Sequence, residues 1–112
     1  MKINKLKYSK AEYEELKKLK QNWYNTSLNK KSVEKTIASI KVFHLTLESS
    51  FPETKMIIIT NNVFNERINF ALFVFKRVLS GKTLHDNEFE IAIQGIDLGF
   101  HALLFQIRHG NV

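Results

Sequence analysis

The chain has 112 residues, enough for one domain with its own core, and no cysteine, which excludes a disulfide framework, a thiolate zinc site and a cysteine nucleophile. No apolar run is long enough for a signal peptide or a membrane span, so we expect a soluble, cytoplasmic protein. The net charge of +6 arises in residues 1–35, where ten lysines outnumber four glutamates, while residues 36–112 are balanced and hold all nine phenylalanines. This segregation predicts a charged segment that contacts a polyanion and a Phe-rich part that forms the core.

The first predicted helix covers 10–25. Ser9-Lys-Ala-Glu12 has the spacing of a capping box, in which the serine hydroxyl accepts from the backbone three residues on and the glutamate reaches back. Leu16, Leu19 and Trp23 recur at helical spacing and form the predicted apolar stripe. Residues 1–8 are predicted to be a flexible basic tail, followed by a single helical domain over 9–112.

The second predicted helix covers 30–49, after a turn at Asn25–Asn29. Its apolar stripe consists of Val33, Ile37, Ile40, His44 and Leu47. The position of His44 in that stripe favours a core imidazole bonded to a backbone or hydroxyl group over a metal ligand.

The segment 50–60 joins the two halves of the chain. Ser50-Phe-Pro-Glu53 has the pattern of a second capping box with proline in the first turn. The three consecutive isoleucines at 57–59 favour a short strand. Because a lone strand would have no partner, helix is the preferred prediction for 55–60, with a strand or an irregular turn as the alternative.

Two long apolar helices are predicted in the second half. The third follows Asn61-Asn62 and stops at Gly81, and its stripe consists of Phe64, Ile68, Ala71, Leu72, Phe75, Val78 and Leu79. The fourth begins at Thr83–Asp86 and closes at Gly110, and its stripe consists of Phe89, Ile93, Ile96, Phe100, Leu103 and Ile107. The whole pattern predicts an all-α fold, a compact four-helix antiparallel bundle with the third and fourth helices at its centre and the first outside.

Lysines and tyrosines interleave on one side of the first helix. The predicted contact residues for a nucleic acid or another polyanion are Lys10, Tyr13, Lys17, Lys20 and Tyr24, with Lys30, Lys31 and Lys35 from the following segment. Lysine side chains neutralise phosphates and release counterions, and tyrosine rings stack on unpaired bases. The same pattern is also typical of a solvated lysine-rich face whose tyrosine rings cover the edge of a core.

Two further surfaces are candidates for a protein partner or a dimer contact. The fourth helix carries a groove of small residues that includes Gly95 and Gly99, and two glycines inside a helix cost roughly 1 kcal/mol each relative to alanine. Close approach of another helix would offset that cost, either within the chain, which is the simpler explanation, or from a second copy. Phe70, Phe73 and Arg77 form the second surface, and aromatic residues with arginine are typical of interface hot spots. The first helix is expected to cover this second surface.

The sequence contains no recognisable catalytic or metal-binding motif. His85 and Glu88 are three residues apart, but a di-iron bundle needs two Glu-x-x-His motifs and further carboxylates. Neither a nucleophile elbow nor a Gly-rich phosphate loop is present. We therefore expect a protein that is not an enzyme and has no cofactor, no metal site and no small-molecule substrate.

Three kinds of binding protein share features with this chain. Residues 17–43 resemble a helix-turn-helix similar to those of bacterial response-regulator DNA-binding domains, although Trp23 stands where that motif has a small residue and Thr26 where it has an aliphatic one. In size and charge the chain resembles bacteriocin immunity proteins, and equally the compact binders of phages and mobile elements, which include anti-CRISPR inhibitors. The segregated charge favours a basic helical protein that binds nucleic acid or a nucleic-acid-handling complex and inhibits or regulates it; an immunity protein and a DNA-binding regulator are the alternatives.

Overall fold

The computed structural model describes residues 9–110, which form six α-helices and no strand. The helices are α1 Lys10–Tyr24, α2 Lys30–Leu45, α3 Leu47–Ser50, α4 Lys55–Thr60, α5 Asn62–Leu79 and α6 Glu88–His109. The all-α prediction is confirmed, as is the helical assignment of 55–60. The predicted tail at 1–8 lies outside the described residues.

The structure has six helices where four long ones were predicted, because the second predicted helix is divided into α2 and α3 and the segment 55–60 forms the separate short helix α4. α2 stops at Leu45, where Thr46 Oγ1 donates to the carbonyl of Val42 at 2.8 Å, and the four-residue α3 follows. The start of α2 matches the prediction, since the Asn29 side chain caps it by accepting from the backbone N–H of Ser32 at 2.8 Å. The fourth predicted helix also begins late, at Glu88, after Asn87 in a left-handed conformation.

The predicted capping box at Ser50–Glu53 does not form, because a side chain from α1 takes its place. The Glu12 carboxylate accepts from the backbone N–H groups of Glu53, at 3.3 Å, and Thr54, at 3.1 Å, and from the Thr54 hydroxyl at 2.7 Å. Both Glu12 and Thr54 are buried. The Ser9 hydroxyl accepts from the backbone N–H of Glu12, as expected, so only half of the first capping box is present. One glutamate therefore fixes the α3–α4 connection to α1.

The core lies where α1 and α2 cover the pair formed by α5 and α6. α5 packs directly on α6, α1 packs on α6, and α2 packs on α5. Trp23 is fully buried among these helices, with its ring centroid 5.6 Å from that of Phe43 and 5.2 Å from that of Phe100. Its indole N–H donates to the Ser39 hydroxyl at 2.8 Å, so the buried polar atom has a partner. The central position of α5 and α6 agrees with the prediction.

The buried face of α2 includes Val33 and Ile40, as predicted. At the other two positions it is shifted by one residue, to Thr36 instead of Ile37 and to Phe43 instead of His44. The side chains that it buries are Val33, Thr36, Ile40 and Phe43. His44 lies at the surface and not in the core. The part of its imidazole that is shielded from water lowers its pKa below the ordinary value of 6.5. Two contacts select this face: Phe43 joins the aromatic cluster around Trp23, and the Thr36 hydroxyl lies 2.6 Å from that of Thr26. A paired threonine is therefore buried in preference to a neighbouring isoleucine.

Candidate nucleic-acid interface

A cleft of about 330 Å³ lies between α1 and the C-terminal half of α6. We call it the basic cleft. Its lining consists of Tyr13, Lys17, Lys20 and Gln21 from α1 and His101, Leu104, Phe105, Arg108 and His109 from α6. Three permanent cations, two imidazoles and two aromatic rings thus surround one depression.

Helical spacing explains why these side chains meet. Tyr13, Lys17 and Lys20 are four and three residues apart, so they share one side of α1. The polar side of α6 has the same spacing, with Phe105 four residues after His101 and Arg108 three residues after Phe105. Burial of the Leu16–Trp23 stripe holds α1 against α6, so the two sides come together at its edge.

The ion pairs that the two lysines of the basic cleft make within residues 9–110 lie at the surface. Lys20 Nζ lies 3.2 Å from an Asp97 carboxylate oxygen, and Lys17 Nζ lies 4.0 Å from Glu14 and 5.7 Å from the centroid of the Tyr13 ring. Exposed pairs of this kind contribute roughly 0–1 kcal/mol, which allows a phosphate to compete with either carboxylate. Arg108 is exposed and makes no hydrogen bond or ion pair with any residue in the range 9–110. It therefore offers a complete guanidinium to a ligand.

An exposed aromatic surface borders these cations. The Phe105 ring is 60% exposed, and its centroid lies 4.2 Å from that of the His109 ring at an interplanar angle of 36°. Leu104 beside it is buried and forms the apolar floor of the cleft. A flat ring next to cations is the arrangement that holds an unpaired base while its phosphates are neutralised.

The basic cleft includes three of the eight polyanion-contact residues predicted from the sequence. Tyr13, Lys17 and Lys20 line the basic cleft, whereas the exposed Lys10 and Tyr24 on the same helix lie outside its lining. The remaining residues, Lys30, Lys31 and Lys35, are exposed near the start of α2. Lys35 lines a separate polar cleft together with Asn22, Thr26 and Ser39. Lys20 and Lys35, both predicted contacts, therefore line different clefts.

Sequence reasoning missed the contribution of α6 to the basic cleft. The missed residues are His101, Phe105, Arg108 and His109. His101 and Arg108 are seven residues apart in a narrow polar strip on an otherwise apolar helix, which is the signal that could have identified them. The strip belongs to residues 36–112, which have no net charge, so the charge distribution alone does not indicate a polyanion contact on α6.

The small-residue groove is an internal contact. Both Gly95 and Gly99 are buried, and a Cβ atom at Gly99 would lie 3.3 Å from Phe64 Cα and 3.2 Å from Arg67 Cβ, both on α5. The missing side chains let the two central helices approach closely, which offsets the cost of glycine in a helix. Neither glycine is accessible to a second copy, and the dimer contact assigned to them is corrected accordingly.

The surface formed by Phe70, Phe73 and Arg77 is open, contrary to expectation. The two phenylalanines are 37% and 55% exposed, because α1 packs on α6 and not on this side of α5. The Arg77 guanidinium carbon lies 5.7 Å from the Phe73 ring centroid, and Nη2 donates to the Thr83 carbonyl at 2.7 Å. An aromatic pair with an arginine is therefore available to a partner.

No group of three or more His, Asp or Glu side chains within the described range is placed to share a metal ion. Nor does any helix between residues 9 and 110 combine the length and apolarity needed to cross a membrane. The chain matches no protein-family model, and no curated protein or solved structure has significant similarity to it.

Proposed function

We propose that this protein is a non-enzymatic binding protein that holds a short stretch of single-stranded nucleic acid in the basic cleft. One observation carries the proposal: Lys17, Lys20 and Arg108 come from two helices far apart in the sequence and converge beside the exposed ring of Phe105. Cations with an accessible aromatic ring are the two elements that single-strand binding requires.

Each group has a distinct role in this proposal. Arg108 binds a phosphate through its planar fork of N–H groups, and Lys17 and Lys20 neutralise neighbouring phosphates as point charges. Phe105 stacks on a base, with Tyr13 on the opposite wall of the cleft. Because every base has a π-face and every nucleotide a phosphate, binding of this kind tolerates sequence variation.

Binding of a strand in the basic cleft would be sufficient for a regulatory role. A strand held in the cleft has its phosphates and one or more bases covered, so an enzyme or complex that needs the same strand is excluded from it. The protein would then inhibit or regulate a nucleic-acid-handling complex, in the manner of compact phage and mobile-element inhibitors. This role requires no catalytic group.

A second candidate function is duplex DNA binding through α2. Lys30, Lys31 and Lys35 are exposed and make no ion pair with any other described residue. Basic residues at the start of a recognition helix enter the major groove in helix-turn-helix proteins. This candidate places the contact on α2 and leaves the basic cleft without a role, which separates the two candidates experimentally.

Two triple variants with equal charge loss test the proposal. Lys17→Gln/Lys20→Gln/Arg108→Gln removes three cations from the basic cleft, and Lys30→Gln/Lys31→Gln/Lys35→Gln removes three from α2. Binding of a labelled single-stranded oligonucleotide is measured by fluorescence anisotropy over a range of salt concentrations. We expect the first variant to bind it more weakly than the unmodified protein does. The slope of log affinity against log salt should flatten by about 2, since each phosphate contact contributes about 0.7 for single strands.

The α2 variant is the matched control and should retain most of the affinity for the single strand. Phe105→Ala should weaken binding by about 1–3 kcal/mol at every salt concentration without changing the slope, because stacking releases no counterions. Equal losses with both triple variants would indicate non-specific attraction to a basic protein and would reject the cleft as the site. Loss of duplex affinity with the α2 variant alone would favour the second candidate.

A further inference from the structure

One side of α5 carries a regular stripe whose apolar side chains remain exposed to solvent. Its members are Val63, Glu66, Phe70, Phe73 and Arg77, which follow one another at spacings of three, four, three and four residues. This alternation places side chains in a single line along a helix and is the spacing of a helix–helix seam. We call it the α5 stripe. Val63, Phe70 and Phe73 are between 37% and 55% exposed, although they belong to a seam-type pattern.

The order of residues in the α5 stripe is self-complementary. Glu66 lies four residues before Phe70, and Arg77 lies four residues after Phe73. When two copies of the helix run antiparallel about a two-fold axis between Phe70 and Phe73, each Phe70 faces Phe73 of the other copy. The same register places each Glu66 opposite Arg77 of the other copy. A two-fold interface repeats every contact, so one register satisfies two aromatic pairs and two ion pairs.

The charged members of the stripe are incompletely paired within the chain. Glu66 is exposed and has neither a hydrogen bond nor an ion pair with any other residue that the structure describes. Arg77 is half-buried, and within residues 9–110 its guanidinium donates one hydrogen bond, from Nη2 to the Thr83 carbonyl. Its terminal nitrogens therefore retain N–H groups for a further acceptor. A carboxylate from a second copy would supply an acceptor at this guanidinium, and paired charges between copies also fix the register.

Two further exposed apolar side chains lie on α6, near the place where the exposed Arg67 of α5 lies against that helix. The Arg67 side chain lies 3.6 Å from the position that a Cβ atom would take at Gly95, which defines the seam between the two helices. Phe70 lies three residues from Arg67, and Ile91 and Leu98 lie four and three residues from Gly95, so these side chains border the same seam. Ile91 and Leu98 are about half exposed. Ile91 and Leu98 would add apolar area to an interface centred on the α5 stripe, and a stable dimer needs more area than one helix supplies.

We propose that the protein forms a two-fold symmetric homodimer in which the α5 stripes of two copies pack antiparallel, with Phe70 against Phe73 and Glu66 against Arg77. The occupant of the open aromatic surface is a second copy of this chain. The proposal does not depend on the basic cleft, which lies between α1 and α6.

Exchange of charges tests the register directly. The oligomeric state is measured by sedimentation velocity over a range of protein concentrations, without nucleic acid. The unmodified protein should be a dimer at the higher concentrations. Glu66→Arg alone and Arg77→Glu alone should each weaken the dimer about tenfold or more, because each creates two like-charge contacts across the symmetry axis. An equimolar mixture of these two variants should recover the dimer, because all the facing charges are then opposite in sign.

Two further variants keep the test decisive. Glu34→Arg changes the charge by the same amount at an exposed position on α2, and the dimer should persist. Phe73→Lys should abolish the dimer without unfolding the chain, since that side chain is 55% exposed in the monomer. Circular dichroism identifies any variant that has lost its fold. A protein that stays monomeric at the highest concentrations, a dimer that survives Phe73→Lys, or a mixture of folded charge variants that stays monomeric would each overturn the proposal.

Discussion

Replacement of Trp23 by alanine is expected to lower the free energy of unfolding by about 3–5 kcal/mol, the range for deletion of a fully buried aromatic side chain. Trp23 contacts rings from two other helices, since Phe43 belongs to α2 and Phe100 to α6. Its removal would leave a cavity where three helices meet and would also leave the Ser39 hydroxyl without its donor. Because a domain of this size has about 5–15 kcal/mol of stability, the variant should be close to unfolding.

The measurement is urea denaturation of the variant against the unmodified protein, followed by circular dichroism. Tyr24→Ala is the control, because Tyr24 is the next residue of the same helix and is 42% exposed. That change should cost less than about 1 kcal/mol, as is usual for surface positions. If Trp23→Ala is no more destabilising than Tyr24→Ala, the helices do not meet around the indole as described.

Replacement of Glu12 by alanine should lower the free energy of unfolding by about 3 kcal/mol, a large effect for a residue on an outer helix. The change removes the acceptor that the backbone N–H of Thr54 has within residues 9–110, and it leaves a fully buried hydroxyl without its partner. Buried donors that lose a partner cost roughly 1–3 kcal/mol each, and bonds to a charged acceptor lie at the upper end. Thermal unfolding should show a correspondingly lower midpoint.

Glu15→Ala is the matched control for this prediction. Glu15 is exposed one turn further along α1, and no hydrogen bond involves its side chain in the described range. Its replacement should change the stability by no more than about 0.5 kcal/mol. Equal effects of the two changes would show that Glu12 acts as a solvent-facing residue and does not fix the α3–α4 connection.

The helices of this fold are predictable from sequence because their signals are local. The stripe of Leu16, Leu19 and Trp23 and the longer stripe of α6 repeat at helical spacing, and the caps at Ser9 and Asn29 mark two helix starts. The face that α2 buries was not predictable in the same way. Phe43 and His44 are adjacent, and the choice between them depends on an aromatic cluster assembled from other helices.

The contacts that organise the rest of the fold join residues far apart in the sequence. Glu12 has the position of a capping-box residue, yet its carboxylate caps a segment more than forty residues away. The basic cleft likewise requires α1 to dock beside His101 and Arg108. The sequence of neither helix predicts which other helix it packs against. Sequence reasoning therefore identified the lysines and tyrosine of one wall and missed the other wall. The open surface on α5 follows from the same docking, because α1 lies on α6.

The central claim is that the basic cleft is the nucleic-acid contact, and amide chemical-shift mapping by NMR tests it most directly. A short single-stranded oligonucleotide is titrated into the labelled protein at low salt. The account predicts that the largest shifts cluster on both walls of the cleft, around Lys17 and Lys20 on α1 and around Phe105 and Arg108 on α6. Shifts confined to the lysines of α2, shifts centred on α5, or no shifts at saturating oligonucleotide would contradict it.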